Sequence, residues 1–243
     1  MKPHAAINVA AIIIACSAPA ALAHDLITAE LAEQYVSKAV TWKEQSQTDA
    51  DVEERAKAQL RIGTMLDEIR GYLNRDLAAH GQVQGLASNY LVAELKRLGT
   101  PLAYSQVRNY FIANSAYYRA ALKSGLSGAT MREARLRLLR GEFYDSFDID
   151  LLETRQSSSE LEESRMLVEQ LLGSVTKEPD LEEVRFIAAI VYARSAKLTT
   201  DAAVRAEMRD KALASIDGFI VDYPDSLRSA AMPIVRDAMH ALQ

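Results

Sequence analysis

The spacing of prolines and glycines constrains this chain more than any other feature. Beyond Ala23 the prolines stand at 101, 179, 224 and 233, and between them run long stretches whose apolar residues recur every three or four positions. No alternating run of Val, Ile or Thr bounded by hairpin turns interrupts them. A chain patterned this way buries one stripe of each helix against another helix. The expected fold is therefore all-α, with about nine helices.

Helix boundaries follow from the punctuation. A first helix begins after Thr28 as N-cap and carries Leu31, Tyr35, Ala39 and Trp42 on one stripe. A second is expected over 51–79, with Ile62, Leu66, Ile69, Leu73 and Leu77 inward, a place to break at Gly71, and Gly81 as left-handed terminator. The third should span 83–98 and end at Gly99 before Pro101; a fourth should fill 105–124 and a fifth should run from Ser127 to Tyr144. The stretch "DSFDIDLLETRQSSS" then lacks helical periodicity. It divides 24–243 by texture into an irregular helical part, 24–150, and a tidier one, 157–243, without the linker composition that marks two domains.

In the second part, Ser159 with Glu162 and Asp180 with Glu183 have capping-box spacing. Setting Pro179 beside Pro224 exposes an internal repeat. "LLGSVTKEPDLEEVRFIAAIVYARSA" (171–196) and "IDGFIVDYPDSLRSAAMPIVRDAMHA" (216–241) align without gaps at an offset of 45, and the matching positions are mainly apolar or corner positions. A repeated helix–turn–helix would preserve those positions. On this reading Tyr223 closes an apolar stripe, Pro224 stops a helix, and Asp225 or Ser226 caps the next. Pro233 should kink or restart the last helix.

The pattern Ala214, Ile216, Asp217, Phe219, Ile220 and then "DYPDS" (222–226) resembles the tetratricopeptide-type repeats of exported bacterial proteins, such as Tol-Pal coordinators and the helical lipoprotein of the outer-membrane barrel-assembly machinery. It covers about 157–243. The offset exceeds the usual period of about 34 residues, so helices or loops are longer here. The resemblance implies a tetratricopeptide-like superhelix of antiparallel helix pairs whose concave face binds a protein or peptide, a scaffold without catalysis. It carries over no ligand residue, because the shared positions are packing and turn positions.

The first residues read as an export signal: Lys2, the apolar run Val9 to Ala15, then Pro19 and Ala21-Leu22-Ala23 with small residues where a signal peptidase reads. That run is too short to span a bilayer, and cleavage after Ala23 would release a periplasmic chain starting at His24. "IIAC", ending at Cys16, loosely resembles a lipobox, and lipidation there would tether the protein to a membrane instead. Cys16 is the only cysteine, so a chain cleaved after Ala23 has no disulfide or thiolate chemistry. Lys and Arg total 28 against 33 Asp and Glu, a net charge of −5. With no dense basic block, this argues against nucleic acid as a partner. Arg132, Arg135, Arg137 and Arg140 spread around a helix, with Glu133 placed to pair with Arg137.

Few residues suggest chemistry, and no cofactor motif occurs. His24, as a mature N-terminus, would offer an amine and an imidazole to copper, which makes a metal-binding protein the alternative reading; only His80 and His240 remain as further histidines in the mature chain. Asp76 and His80, four apart, form the candidate acid–base pair of a third reading, a helical enzyme, although the same positions suit helix capping. Asp145, Asp148 and Asp150 read as an acidic loop without the glycine a calcium loop needs. In "VRNYFIANSAYYRAAL" the helical spacing puts Tyr110 with Tyr117 and Phe111 with Tyr118; one pair would enter the core and the other would line a groove. Tyr110, Tyr117 and Tyr118 are thus the candidate partner-binding residues.

Overall fold

Thr28, Asp51, Ser157 and Asp201 each open a helix by accepting from a free first-turn amide. A computed structural model of the protein describes residues 27–147 and 150–242. The expected export signal, Cys16, His24 and Asp148 lie outside the described residues. The rest forms an all-α fold of nine α-helices among the described residues, with one small hairpin. It divides into two compact units, 27–145 and 146–242.

In the first unit, Thr28 Oγ1 accepts from the Leu31 amide at 3.1 Å and opens α1 (Ala29–Thr48). Asp51 does the same for α2 (Val52–His80), which runs unbroken past Gly71 and ends at Gly81, φ 72°. The α3 helix (Leu86–Arg97) starts later than its apolar pattern suggests, because Gly85 at φ 87° sits where the chain turns into it. Ala32, Tyr35 and Ala39 of α1 pack on Ile62, Leu66, Ile69 and Leu73 of α2 and on Leu91 and Leu95 of α3. Both α2 and α3 pack against α1, so the stripe read from the sequence is the core seam.

The fourth helix does not begin at 105. Instead β1 (Tyr104–Ser105) and β2 (Tyr110–Phe111) form an antiparallel hairpin, Tyr104 opposite Phe111 and Ser105 opposite Tyr110, before α4 (Ser115–Lys123) and α5 (Gly128–Asp145). Two local features favour the hairpin over a helix. Asn109 adopts a left-handed φ of 51°, which ends a turn and would break a helix. Asn74 of α2 then bonds the Phe111 backbone on both sides, accepting from its amide at 2.7 Å and donating to its carbonyl at 2.8 Å. Those groups would otherwise be satisfied inside a helix.

The second unit is built from two helix pairs, α6 (Ser158–Leu172) with α7 (Asp180–Leu198), and α8 (Ala202–Asp222) with α9 (Met232–Ala241). The capping box at α6 is two residues earlier than expected: Ser157 Oγ accepts from the Glu160 amide at 3.3 Å and Glu160 accepts from the Ser157 amide at 2.8 Å. Asp180 is not a cap either. Pro179 holds the N-cap position, Asp180 lies inside the first turn, and Glu178 accepts from the Glu182 amide at 3.2 Å. Ser226 caps a short 3-10 turn (Leu227–Ala231), and Pro233 stands in the first turn of α9, where its missing amide costs nothing, so it restarts the helix and does not kink it.

Helix α7 is buried on nearly every side: Phe186, Ile187, Ala189, Ile190, Val191 and Ala193 are all enclosed. Arg194 is enclosed with them. Its guanidinium donates to the Leu151 carbonyl and to Ser146 Oγ, both at 2.9 Å, and lies 4.9 Å from the centre of the Phe147 ring. Burial lowers its pKa to about 10. The side chain ties the segment after α5 to the centre of this unit.

Candidate functional site

The three tyrosines picked from sequence do not share a surface. Tyr110 lies on β2, where its hydroxyl accepts from Arg108 at 2.8 Å and donates to Asp145 Oδ1 at 3.2 Å. Tyr117 is half-buried on α4 against the core of the first unit. Tyr118 is fully enclosed; its hydroxyl donates to Asp67, and its ring lies over Gly63 of α2, where an added Cβ would stand 2.8 Å from Cε1. Burial first, and then the Asp67 carboxylate, raise its pKa. Tyr117 and Tyr118 hold α4 onto α2, while Tyr110 ties the hairpin to the end of α5.

Asp145 belongs to the same network and not to an acidic loop. As the last residue of α5 it accepts from the Ala113 amide at 2.5 Å and lies 3.6 Å from Arg70. Burial raises its carboxyl above the usual range, with the Ala113 amide and Arg70 opposing. Asp76 accepts from the Gln84 amide at 3.4 Å across the turn after α2, and His80 is the exposed last residue of that helix. Both sit where helix-end residues act on the backbone. Glu133 pairs with Arg137 at 2.9 Å, as their spacing suggests.

A cleft of about 280 Å³ with a mixed polar and apolar lining opens in the first unit. From α1 it takes Tyr35, Lys38 and Trp42, one stripe at spacings of three and four. From α2 it takes Lys57, Leu60, Arg61, Thr64, Met65 and Glu68, and from the first turns of α5 come Thr130 and Glu133. Leu60, Met65 and Tyr35 are buried and form the floor; Trp42 and Thr64 are half-buried walls; Lys38 and Arg61 stand exposed on the rim. Sequence reasoning placed Tyr35 and Trp42 on the core stripe. The available signal was the cation pair Lys38 and Arg61 beside the chain's single tryptophan, but only the packing of α1 on α2 brings them together.

Charges around this cleft are unevenly matched. Lys57 bonds Glu54 at 2.8 Å and Glu53 at 3.3 Å, and those bonds, Glu54 foremost, raise its pKa. Tyr35 is raised by burial and then by its hydrogen bond to Glu68. Glu133 is taken by Arg137. Arg61 reaches Glu54 only at 4.0 Å, and Lys38 lies 5.7 Å over the Tyr35 ring with no carboxylate in ion-pair range among the described residues. Of the cations that line the cleft, Lys38 alone is thus without a carboxylate in ion-pair range among the described residues.

In the second unit the polar surface gathers at the corners between helices. Tyr223 donates to Glu178 at 2.7 Å, and these two occupy the same position of the internal repeat, 45 residues apart. Ser226 donates to Glu182 at 2.7 Å and Arg228 lies 3.2 Å from the same carboxylate. Successive corners are therefore stitched directly to each other. Among the described residues no group of three or more metal-ligating side chains is placed to hold an ion, and no helix is long and apolar enough to cross a membrane. No family model, curated protein or solved structure matches the chain.

Proposed function

We propose that this chain is an exported helical-repeat protein that works in the periplasm as a scaffold binding a protein or peptide partner, with no catalysis of its own. The observation that carries this reading is the repeat of 171–196 at 216–241, realised as two helix–turn–helix pairs whose equivalent corner residues, Glu178 and Tyr223, bond each other. Stacked helix pairs of this kind bury one face and offer another. Polar residues that looked chemical in isolation are used as caps and corner bonds, which supports packing and recognition over catalysis. The charged start, short apolar run and small-residue site over 1–23 support export.

Affinity capture of the full chain from the exporting cell tests the reading, with a mass spectrum of the mature protein as companion. A reproducible partner and an N-terminus at His24 are expected. No reproducible partner, or measured turnover by the isolated protein, would overturn the scaffold role. A mature protein retaining residues 1–23 would overturn export, and a lipidated Cys16 would place the scaffold on a membrane.

A further inference from the structure

We infer that an uncharged patch on the first unit, formed by the turn after α2, the outer face of α3 and the 104–111 hairpin, is the contact face of a weak two-fold dimer, where it meets the same patch on a second copy of this chain. The two most exposed large apolar side chains among the described residues stand here, Leu86 at 90% and Val107 at 83%, with Tyr90 at 46% and Tyr104 at 43% beside them in sequence. Asn109 joins the two stretches. Its side-chain amide donates to the Gly81 carbonyl at 3.4 Å, and its side-chain oxygen accepts from the Tyr104 hydroxyl. On α3, Leu86, Asn89, Tyr90 and Ala93 recur at helical spacing and are all exposed, while Leu91 and Leu95 turn into the core.

The absence of charge sets this surface apart. Charged residues make up 25% of the chain, yet over 81–118 only Glu94, Lys96, Arg97 and Arg108 are charged. None of the exposed residues in 81–93 and 104–109 is among them. Arg108 turns inward, bonding the Asp145 carbonyl at 2.5 Å and the Tyr110 hydroxyl at 2.8 Å, and Glu94 pairs with Arg97 at 2.7 Å at the far end of α3. The solvated face of a helix ordinarily carries its charged residues. Depletion of charge with exposed tyrosine is instead the composition of the centre of a protein contact.

Charge also decides the occupant. Two copies at −5 each repel, so the face they share must be one that sets no like charges opposite each other. This patch meets that condition against itself. Its polar members, Gln82, Asn89 and Gln106 among them, are amides that both donate and accept, so each can pair with its own symmetry mate across a two-fold axis. A lipid surface fits less well, because the patch offers no cation to headgroups and would bury those amides. The patch is smaller than the roughly 20–30 residues a side of a standard interface, which makes the dimer weak and reversible.

Sedimentation of the full chain over a concentration series tests this. Dimer should grow in above about 100 μM, and about 0.5 M salt should strengthen it by screening the repulsion between the acidic copies. Leu86→Glu with Val107→Glu should weaken association at least about tenfold and leave the helical circular dichroism unchanged. Val221→Glu, equally exposed but in the second unit, should leave association as it was. A chain that stays monomeric to about 1 mM, an association weakened by salt, one that survives the double variant, or one that Val221→Glu weakens as much would each overturn the inference. A monomeric chain that binds neutral phosphatidylcholine vesicles and loses them in the double variant would assign the patch to lipid and overturn it equally.

Discussion

Tyr223 shows how a residue with reactive chemistry can be spent on architecture. Its ring packs 5.0 Å from Phe219 and lies beneath Arg185, and its hydroxyl donates to Glu178. Burial and then that bond raise its pKa from 10.0 to about 12. A tyrosine whose folded pKa is raised holds its contribution in full below the unfolded value and loses it as pH climbs through the folded one. The corner bond should therefore persist to pH 10 and fail as pH passes about 12. Tyr223→Phe should remove one tyrosine transition centred near pH 12 from the ultraviolet titration, and an unchanged titration would place that transition elsewhere. At Gly63 the constraint is steric. A Cβ there would stand 2.8 Å from Tyr118 Cε1 and 3.2 Å from Tyr117 Cβ, with Tyr118 fixed by Asp67. Gly63→Ala should cost about 1–3 kcal/mol in denaturant unfolding, even though alanine is the better helix former.

At the scale of elements, helix starts and stops were legible wherever one side chain or one glycine decides them: Thr28, Asp51, Gly81 and Gly99 act as their types predict. The hairpin at 104–111 was not legible, because its aromatic residues also fit a helical stripe and its outer edge is satisfied by Asn74, distant in sequence. Two residues of strand on each side cannot hold a register alone. Asn74→Ala should cost about 2 kcal/mol, since it removes two bonds and leaves a buried amide without its acceptor. Faster hydrogen exchange at the Phe111 amide would report it; an unchanged exchange rate would mean the hairpin stands without α2. The capping boxes at 159 and 180 failed for a related reason: several Ser, Asp and Glu residues crowd each start, and the register is chosen by how the following helix packs. The cleft was illegible on the same grounds, since Lys38 and Arg61 resemble ordinary solvated charges until α1 and α2 are paired.

At the scale of the whole molecule, the first unit contains a complete core of its own. The cluster that runs from Ile27 through Tyr35, Ile62, Leu66, Leu73, Leu91 and Leu95 to Phe111 draws every member from residues before 112, and α4 and α5 close it through Tyr118, Asp67, Arg70 and Asp145. A segment with its own buried cluster and its own polar closure meets the condition for folding alone. At about 120 residues it is also long enough to bury a self-sufficient core. Residues 27–145 expressed alone should thus keep helical circular dichroism and unfold in one cooperative transition. The same fragment should retain the Trp42 emission of the full chain, because every wall of the cleft belongs to it. A fragment that is unfolded, or that melts without cooperativity, would show that this core is completed by residues beyond 145, and the boundary drawn at Asp145 would then have no energetic meaning.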